Sequence, residues 1–287
     1  MRGLYGDAGT AWTERLPELF REVCGRWSLT LEEPFQNLFY NYVSRARRAD
    51  GADVVVKVGY PCRELMTEIE ALRLFNGRGA VRLLEADKNR GALLLERLRP
   101  GSSLLNVECD EEATAIAAAV MRSLWHPAPN EHSFPTAADW GRGFERLRTE
   151  FGGGTGPFPT SLVEQAEGQF RDLLASAGPP VLLHGDLHYG NILAAEREPW
   201  LAIDPKGLIA EPAYEVGALI RNRLNAGPDL ARLFARRLDQ LSAELSLDRE
   251  RLRGWTMAQA VLSAWWTYED HGEVALEALR VAEALLA

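Results

Sequence analysis

Residues 181–206 read VLLHGDLHYGNILAAEREPWLAIDPK, apolar runs flanking polar clusters, inside a region whose periodicity is otherwise helical. No other feature constrains the fold as much. A strand–loop–strand segment carrying His, Asp and Asn needs helices around it to supply a core. Those helices are legible at 111–124, 137–151, 162–176, 229–245, 250–268 and 272–286, where apolar residues recur at helical spacing. FGGGTGPFP, at 151–159, reads as a flexible connection.

Ahead of residue 100 the texture changes. Residues 13–23 have helical spacing, with Pro17 tolerable only in a first turn. Residues 30–58 bring the strand formers Phe35, Phe39, Tyr40, Tyr42 and Val43, a turn at 49–53, and the run VVVKV. A helix is expected over 63–76, stopped by Gly77 and Gly79. Strands are expected at 81–86 and 92–98, joined by a polar turn. This order predicts a small antiparallel lobe, and hence an α+β chain of two domains: β-rich over 1–99, mainly helical over 100–287.

The chemistry concentrates in the embedded segment. Asn191 follows Asp186 by five positions, and Asp204 follows Asn191 by thirteen, at the end of an apolar run. Phosphoryl transfer asks a protein mainly for positioning and charge neutralisation. A carboxylate that orients an acceptor hydroxyl and takes its proton suits Asp186. Oxygen donors for Mg²⁺ suit the Asn191 amide and the Asp204 carboxylate. Any one of these residues alone reads as a turn former or cap. Their order, spacing and strand context together match a kinase catalytic loop.

A competing reading takes His184, Asp186 and His188 as ligands of zinc or a di-metal pair in a hydrolase. The remaining His126, His132 and His271 have no clear partner to complete such a site. His184 is instead expected to bond backbone within the loop, and His188 to face phosphates or the acceptor.

Lys and Arg number 32 against 41 Asp and Glu, a net charge of -9 that argues against a nucleic-acid partner and favours cationic small molecules. Cys24, Cys62 and Cys109 are far apart and form no CxxC, as expected of reduced thiols in a cytoplasm. MRGLYGDAGTAWTERL lacks the apolar region of a signal peptide, and no apolar stretch approaches the ~18 residues of a membrane span. No membrane partner is expected, and none of these features encodes an oligomeric state.

HGDLHYGNIL together with IDPKG resembles the aminoglycoside phosphotransferase and choline-kinase-like superfamily, itself similar to protein kinases in fold. Within it, RWSLTLEEPF, VVVKVG, EALRLFNGRGAVRLLEAD, LLLERLRPG and IDPKGLIAEPAYEVGALIRN resemble the aminoglycoside and hydroxyurea resistance kinases, over most of residues 10–225. The resemblance implies a protein-kinase-like two-lobe fold and, with ATP and Mg²⁺, phosphorylation of a hydroxyl on an aminoglycoside such as streptomycin. The alternative is a metabolic kinase of the same fold acting on a sugar, amino alcohol or homoserine-like hydroxyl. A catalytically dead nucleotide binder would have lost one of Lys57, Asp186, Asn191 or Asp204, and all four are present.

The resemblance also implies that a strand lysine contacts the α- and β-phosphates and pairs with a helix glutamate. Lys57 is the one lysine in an apolar strand. Glu64, Glu68 and Glu70 are candidate partners; Glu64 and Glu68 share a helix face, and the family spacing to ALRLF and AVRLL favours Glu68. LLLERL, at 93–98, resembles the interlobe hinge, which assigns adenine recognition to the Glu96 carbonyl and the Leu98 N–H. Three departures stand out: PFQNLFY at 34–40 has no glycine where the nucleotide-covering turn usually does, Tyr189 replaces the usual proline, and Glu215 replaces the usual Asp. Glu215 is expected to brace the catalytic loop. For the acceptor, Trp265, Glu269 and Asp270 combine a stacking face with carboxylates suited to a cation. The same residues read equally as core positions and a helix end.

Overall fold

The computed structural model describes residues 2–35, 41–224 and 229–286. The glycine-free turn over 34–40 falls mostly on residues 36–40, outside the described residues. By its contacts the chain divides into two compact units, Met1–Gly101 with Ala194–Lys206, and Ser102–Leu193 with Gly207–Ala287. Sequence texture gives one boundary near residue 100; the structure adds a return of 194–206 to the first unit. Backbone pairing causes that return: Val81 donates to the Ala202 carbonyl at 2.8 Å, and the Ala202 N–H to the Gly79 carbonyl at 2.9 Å.

In the first unit, α1 (Arg2–Arg26) precedes β1 (Leu29–Pro34), β2 (Tyr42–Arg48), β3 (Asp53–Val58), α2 (Arg63–Phe75), β4 (Leu83–Asp87) and β5 (Ala92–Glu96). The five strands form one sheet in the order β1-β2-β3-β5-β4, antiparallel throughout. Successive strand side chains point to opposite faces. Val54, Val56 and Val58 therefore cluster with Ala92, Leu94 and the α1 residues Phe20, Val23 and Cys24. Val55 and Lys57 project from the other face.

Pro17 sits inside α1, not in a first turn as the sequence suggested, and the helix is kinked instead at Gly6. A mid-helix proline costs about 3 kcal/mol. Burying large apolar side chains is worth about 1.5–3 kcal/mol each, so packing Phe20 and Val23, with Leu16 and Leu19 partly buried, offsets it. The α2 helix stops at Asn76 in the left-handed conformation, one residue ahead of Gly77.

The second unit is mainly helical. β6 (Pro100–Ser103) runs across the unit boundary and is followed by α3 (Asp110–Leu124), β7 (His126–Pro127), α4 (Ala137–Glu150), α5 (Thr160–Ala175) and β8 (Val181–Leu183). β9 (Ile192–Ala195) and β10 (Trp200–Ala202) lead into and through the returning segment, and β11 (Leu208–Ala210) follows it. Four helices close the chain: α6 (Val216–Ile220), α7 (Leu230–Leu245), α8 (Arg249–His271) and α9 (Leu276–Ala284). The buried middle of α8, from Leu252 to Trp265, packs against α4, α5, α6, α7 and α9. The strand–loop–strand segment is not a simple hairpin. β8 pairs antiparallel with β11 and with β7, so the loop after Leu183 leaves from the middle of a small three-stranded sheet.

Candidate active site

Lys57 owes its position to strand alternation, which turns its stem away from the α1 core. It is 2% exposed and Glu68, on α2, is 6% exposed. The Lys57 ammonium donates to both Glu68 oxygens, at 2.7 and 2.8 Å, and to Asp204 Oδ1 at 3.1 Å. The other two glutamates of α2 are engaged elsewhere, Glu64 by Lys206 and Glu70 by Lys88 at 2.9 Å. Burial alone would discharge Lys57, but Glu68 and Asp204 outweigh it and hold the ammonium above the ordinary lysine range. Burial likewise pushes Glu68 up, with Lys57 pulling it back.

Asp204 follows β10 and has a φ of 58°, a left-handed conformation that an aspartate adopts at a cost. Its side chain is 48% exposed even as it meets the buried lysine. The carboxylate therefore meets Lys57 while its side chain stays about half open to solvent.

Glu96 closes β5 opposite Val54, two residues short of the strand end expected from sequence. Its carboxylate accepts from the Arg82 N–H at 2.8 Å and from Arg197 at 2.6 Å. The side chain thus ties the returning segment to the first unit, and any contact with a base falls to its backbone. Leu98 lies beyond β5, outside regular structure.

In the second unit, β8 delivers His184 into the loop. Glu215 is 2% exposed, and its two oxygens accept from the His184 N–H at 2.7 Å and the Gly185 N–H at 2.9 Å. Gly185 has a φ of 86°, which a side chain would oppose. Burial pushes Glu215 up to about 7, and the two backbone donors work against that rise. The bracing role expected of this residue has a direct geometric form.

The loop then closes on itself. His184 is fully buried, and its Nδ1 accepts from the Asp186 N–H at 3.2 Å. The Asp186 carbonyl accepts from the His188 N–H at 3.0 Å and from Asn191 Nδ2 at 3.0 Å. His188 Nδ1 accepts from the Gly190 N–H at 3.0 Å and caps the single 3₁₀ turn Tyr189–Asn191. Both histidines thus spend a ring nitrogen on the backbone. Among the described residues, no group of three or more His, Cys, Asp or Glu is arranged to hold a metal, so the zinc-hydrolase reading lacks a ligand set. The Asp186 carboxylate is half-buried, and its backbone is fixed without its help.

The C-terminal aromatic and acidic residues divide. Trp265 is 2% exposed and packs with Phe151, Phe158 and Tyr268, as core. Glu269 receives a two-pronged contact from Arg146, at 2.6 and 2.9 Å. Asp270 is exposed. Trp140 and Trp266 remain half-buried and meet edge to face, their centroids 5.6 Å apart. Sequence reasoning did not reach the side chains that hold Tyr189 (Thr114, Arg223 and Arg237), because no spacing rule connects residues so distant in the chain.

The chain is similar to known proteins in sequence and in fold. Residues 26–271 match the family described as aminoglycoside/hydroxyurea antibiotic resistance kinase. A streptomycin 6-kinase from Streptomyces glaucescens is 37% identical, over 98% of this chain and 92% of its own length. A hydroxyurea phosphotransferase from Kitasatospora aureofaciens is 38% identical, over 98% of this chain and 82% of its own. In three dimensions the chain is similar to an aminoglycoside phosphotransferase from Streptomyces rimosus in complex with ADP and streptomycin, with a TM-score of 0.58 at 17% identity, over 86% of this chain and 97% of that one. The fold is the kinase-like α+β fold, and at this identity and coverage the chain belongs to the aminoglycoside/hydroxyurea antibiotic resistance kinase family.

Proposed function

We propose that this kinase transfers the γ-phosphate of ATP to a hydroxyl of an aminoglycoside, with streptomycin the leading acceptor, and so inactivates the antibiotic. The observation that carries this reading is the buried Lys57 held by Glu68 and reaching Asp204. An ammonium fixed between two carboxylates, one of them half in solvent, suits the α- and β-phosphates of a nucleotide. Glu68 sets the direction of the lysine, and the Glu96 carbonyl and Leu98 N–H hold the adenine edge.

Asn191 and Asp204 offer one amide oxygen and one carboxylate. This is the small set of hard oxygen donors that Mg²⁺ takes from protein when phosphates and water fill its other positions. With Nδ2 of Asn191 donating to the Asp186 carbonyl, Oδ1 is the atom left to face a cation. When bound, the ion neutralises charge on the phosphates. Asp186 orients the acceptor hydroxyl and takes its proton as the phosphoryl group arrives. His188 lies two residues on, at the cap of the 3₁₀ turn, and serves phosphate or acceptor. Of the acceptor candidates, Glu269 and Asp270 are both exposed carboxylates, with Glu269 held by Arg146, while Trp265 is in the core. The acidic balance of the chain favours a cationic acceptor.

A second acceptor, hydroxyurea, is supported by the 38% identical relative of that name. A coupled ADP-release assay with streptomycin, other aminoglycosides, hydroxyurea, sugars and amino alcohols separates the readings. Streptomycin-dependent ADP release is the expected result. Release with hydroxyurea alone moves the assignment to the second reading, and no acceptor-dependent release anywhere overturns the phosphotransferase reading.

A further inference from the structure

Tyr189 sits between the two catalytic-loop residues Asp186 and Asn191, yet its side chain is fully buried and meets side chains of α3 and α7. Its hydroxyl lies 3.2 Å from Thr114 Oγ1, on α3. Two guanidinium groups lie near its ring, Arg237 at 5.3 Å and Arg223 at 5.5 Å from the centroid. Arg237, on α7, is itself fully buried, and every one of its nitrogens is committed. Nε and Nη2 donate to the two oxygens of Asp110, at 2.9 and 2.7 Å. Nη1 donates to the carbonyls of Ile220 and Asn222, at 3.0 and 2.7 Å, and Nη2 also to that of Arg223 at 3.0 Å. The Tyr189 carbonyl accepts from Ser103 Oγ at 3.2 Å, which ties the residue from its backbone side as well.

We infer that Tyr189, locked by Thr114 and the Arg237–Asp110 pair, is the positioning residue that sets the 3₁₀ turn and thereby aims Asn191 and Asp186. The inference rests on the phosphotransferase reading for what those two residues do. The physical argument is one of leverage. Tyr189 is the first residue of a single turn whose last residue is Asn191, and Asn191 Nδ2 in turn holds the Asp186 carbonyl. An isolated 3₁₀ turn has little stability of its own. A cation stacked on a desolvated ring, with that cation held in a bidentate carboxylate pair, is far stiffer than the turn. The ring therefore imposes its position on the loop.

The test uses the full chain with Tyr189→Leu, Tyr189→Phe and Thr114→Val. Amide hydrogen exchange across 184–192 is measured beside kcat, the KM for ATP, and Tm. Tyr189→Leu is expected to lower kcat about 10- to 100-fold, as losing an outer partner of a metal-site residue does. Its KM for ATP should stay within about threefold, and exchange at Gly190 and Asn191 should quicken at least about tenfold. Tyr189→Phe, which keeps the ring, should recover most of kcat. Thr114→Val should move exchange in the same direction by a smaller factor, and it serves if Tyr189→Leu does not fold. Native exchange across 184–192 in both Tyr189→Leu and Thr114→Val overturns the inference. So does a kcat in Tyr189→Leu that falls only in proportion to its unfolded fraction, since that describes a core filler. A wild type inactive toward every acceptor would remove the phosphotransferase reading, while the exchange data, which need no turnover, would still decide the anchoring.

Discussion

At the scale of single residues, Asp186 offers the cleanest separation of posture from chemistry. Its N–H is taken by His184 Nδ1 and its carbonyl by His188 and Asn191, so the loop holds the backbone whatever the side chain carries. Asp186→Asn should leave the turn intact and remove only the charge that takes a proton. Its kcat is expected to fall about 10²–10⁴-fold, with ATP affinity by calorimetry preserved. Full turnover in that variant would show that another group is the base. This residue was legible in the sequence because its identity and its distance to Asn191 are local facts. The partner of Lys57 was legible only to a helix face shared by Glu64 and Glu68. Packing separates them, since Lys206 claims Glu64 and only Glu68 reaches the buried ammonium. The anchors of Tyr189 were not legible at all.

At the scale of elements, β3 and α2 are joined by one buried ion pair, and its energetics are asymmetric. Lys57→Ala would leave the Glu68 carboxylate buried without its cation, a change that costs about 3–5 kcal/mol. Replacing both partners by apolar residues, as in Lys57→Met with Glu68→Leu, removes both charges and should recover much of that loss while remaining inactive. Urea denaturation of the two variants checks this, and a double variant less stable than Lys57→Ala would contradict it. Most elements themselves were legible: the valine run of β3, the periodicity of α2, the long α8. Their misreadings share a cause. Local propensity tolerates Pro17 only in a first turn, whereas burial of the α1 face offsets its cost inside the helix. A strand–loop–strand pattern over 181–206 suggests a single hairpin because the flanking runs are apolar, whereas β8 pairs with β11 and β7 while β9 pairs with β10 and β6.

At the scale of the whole molecule, sequence texture found the change near residue 100 but not the return of 194–206 to the first unit, which depends on pairing between Ala202 and 79–81. Stability against pH is also a property of the whole, and Glu215 supplies a defined part of it. Burial raises its folded-state value from the ordinary 4.5 to about 7. Between those values the folded protein binds a proton that the unfolded chain has released. The native state is therefore favoured below about pH 4.5 and loses that contribution as pH rises through about 7. The full swing is bounded at about 3 kcal/mol. Glu215→Gln removes the titration. Its amide cannot accept from both the His184 and Gly185 N–H groups, so the variant also carries a fixed penalty of about 1–3 kcal/mol. That penalty does not vary with pH, so the slope reports the carboxyl and the offset reports the lost acceptor. Unfolding free energies from denaturant titrations at pH 5, 6, 7 and 8 should give a wild-type minus variant difference that shrinks steadily from pH 5 to about 7 and then levels. A difference that is flat across the range, or that grows with pH, would mean that the backbone donors win over burial and that Glu215 braces the loop as a carboxylate throughout.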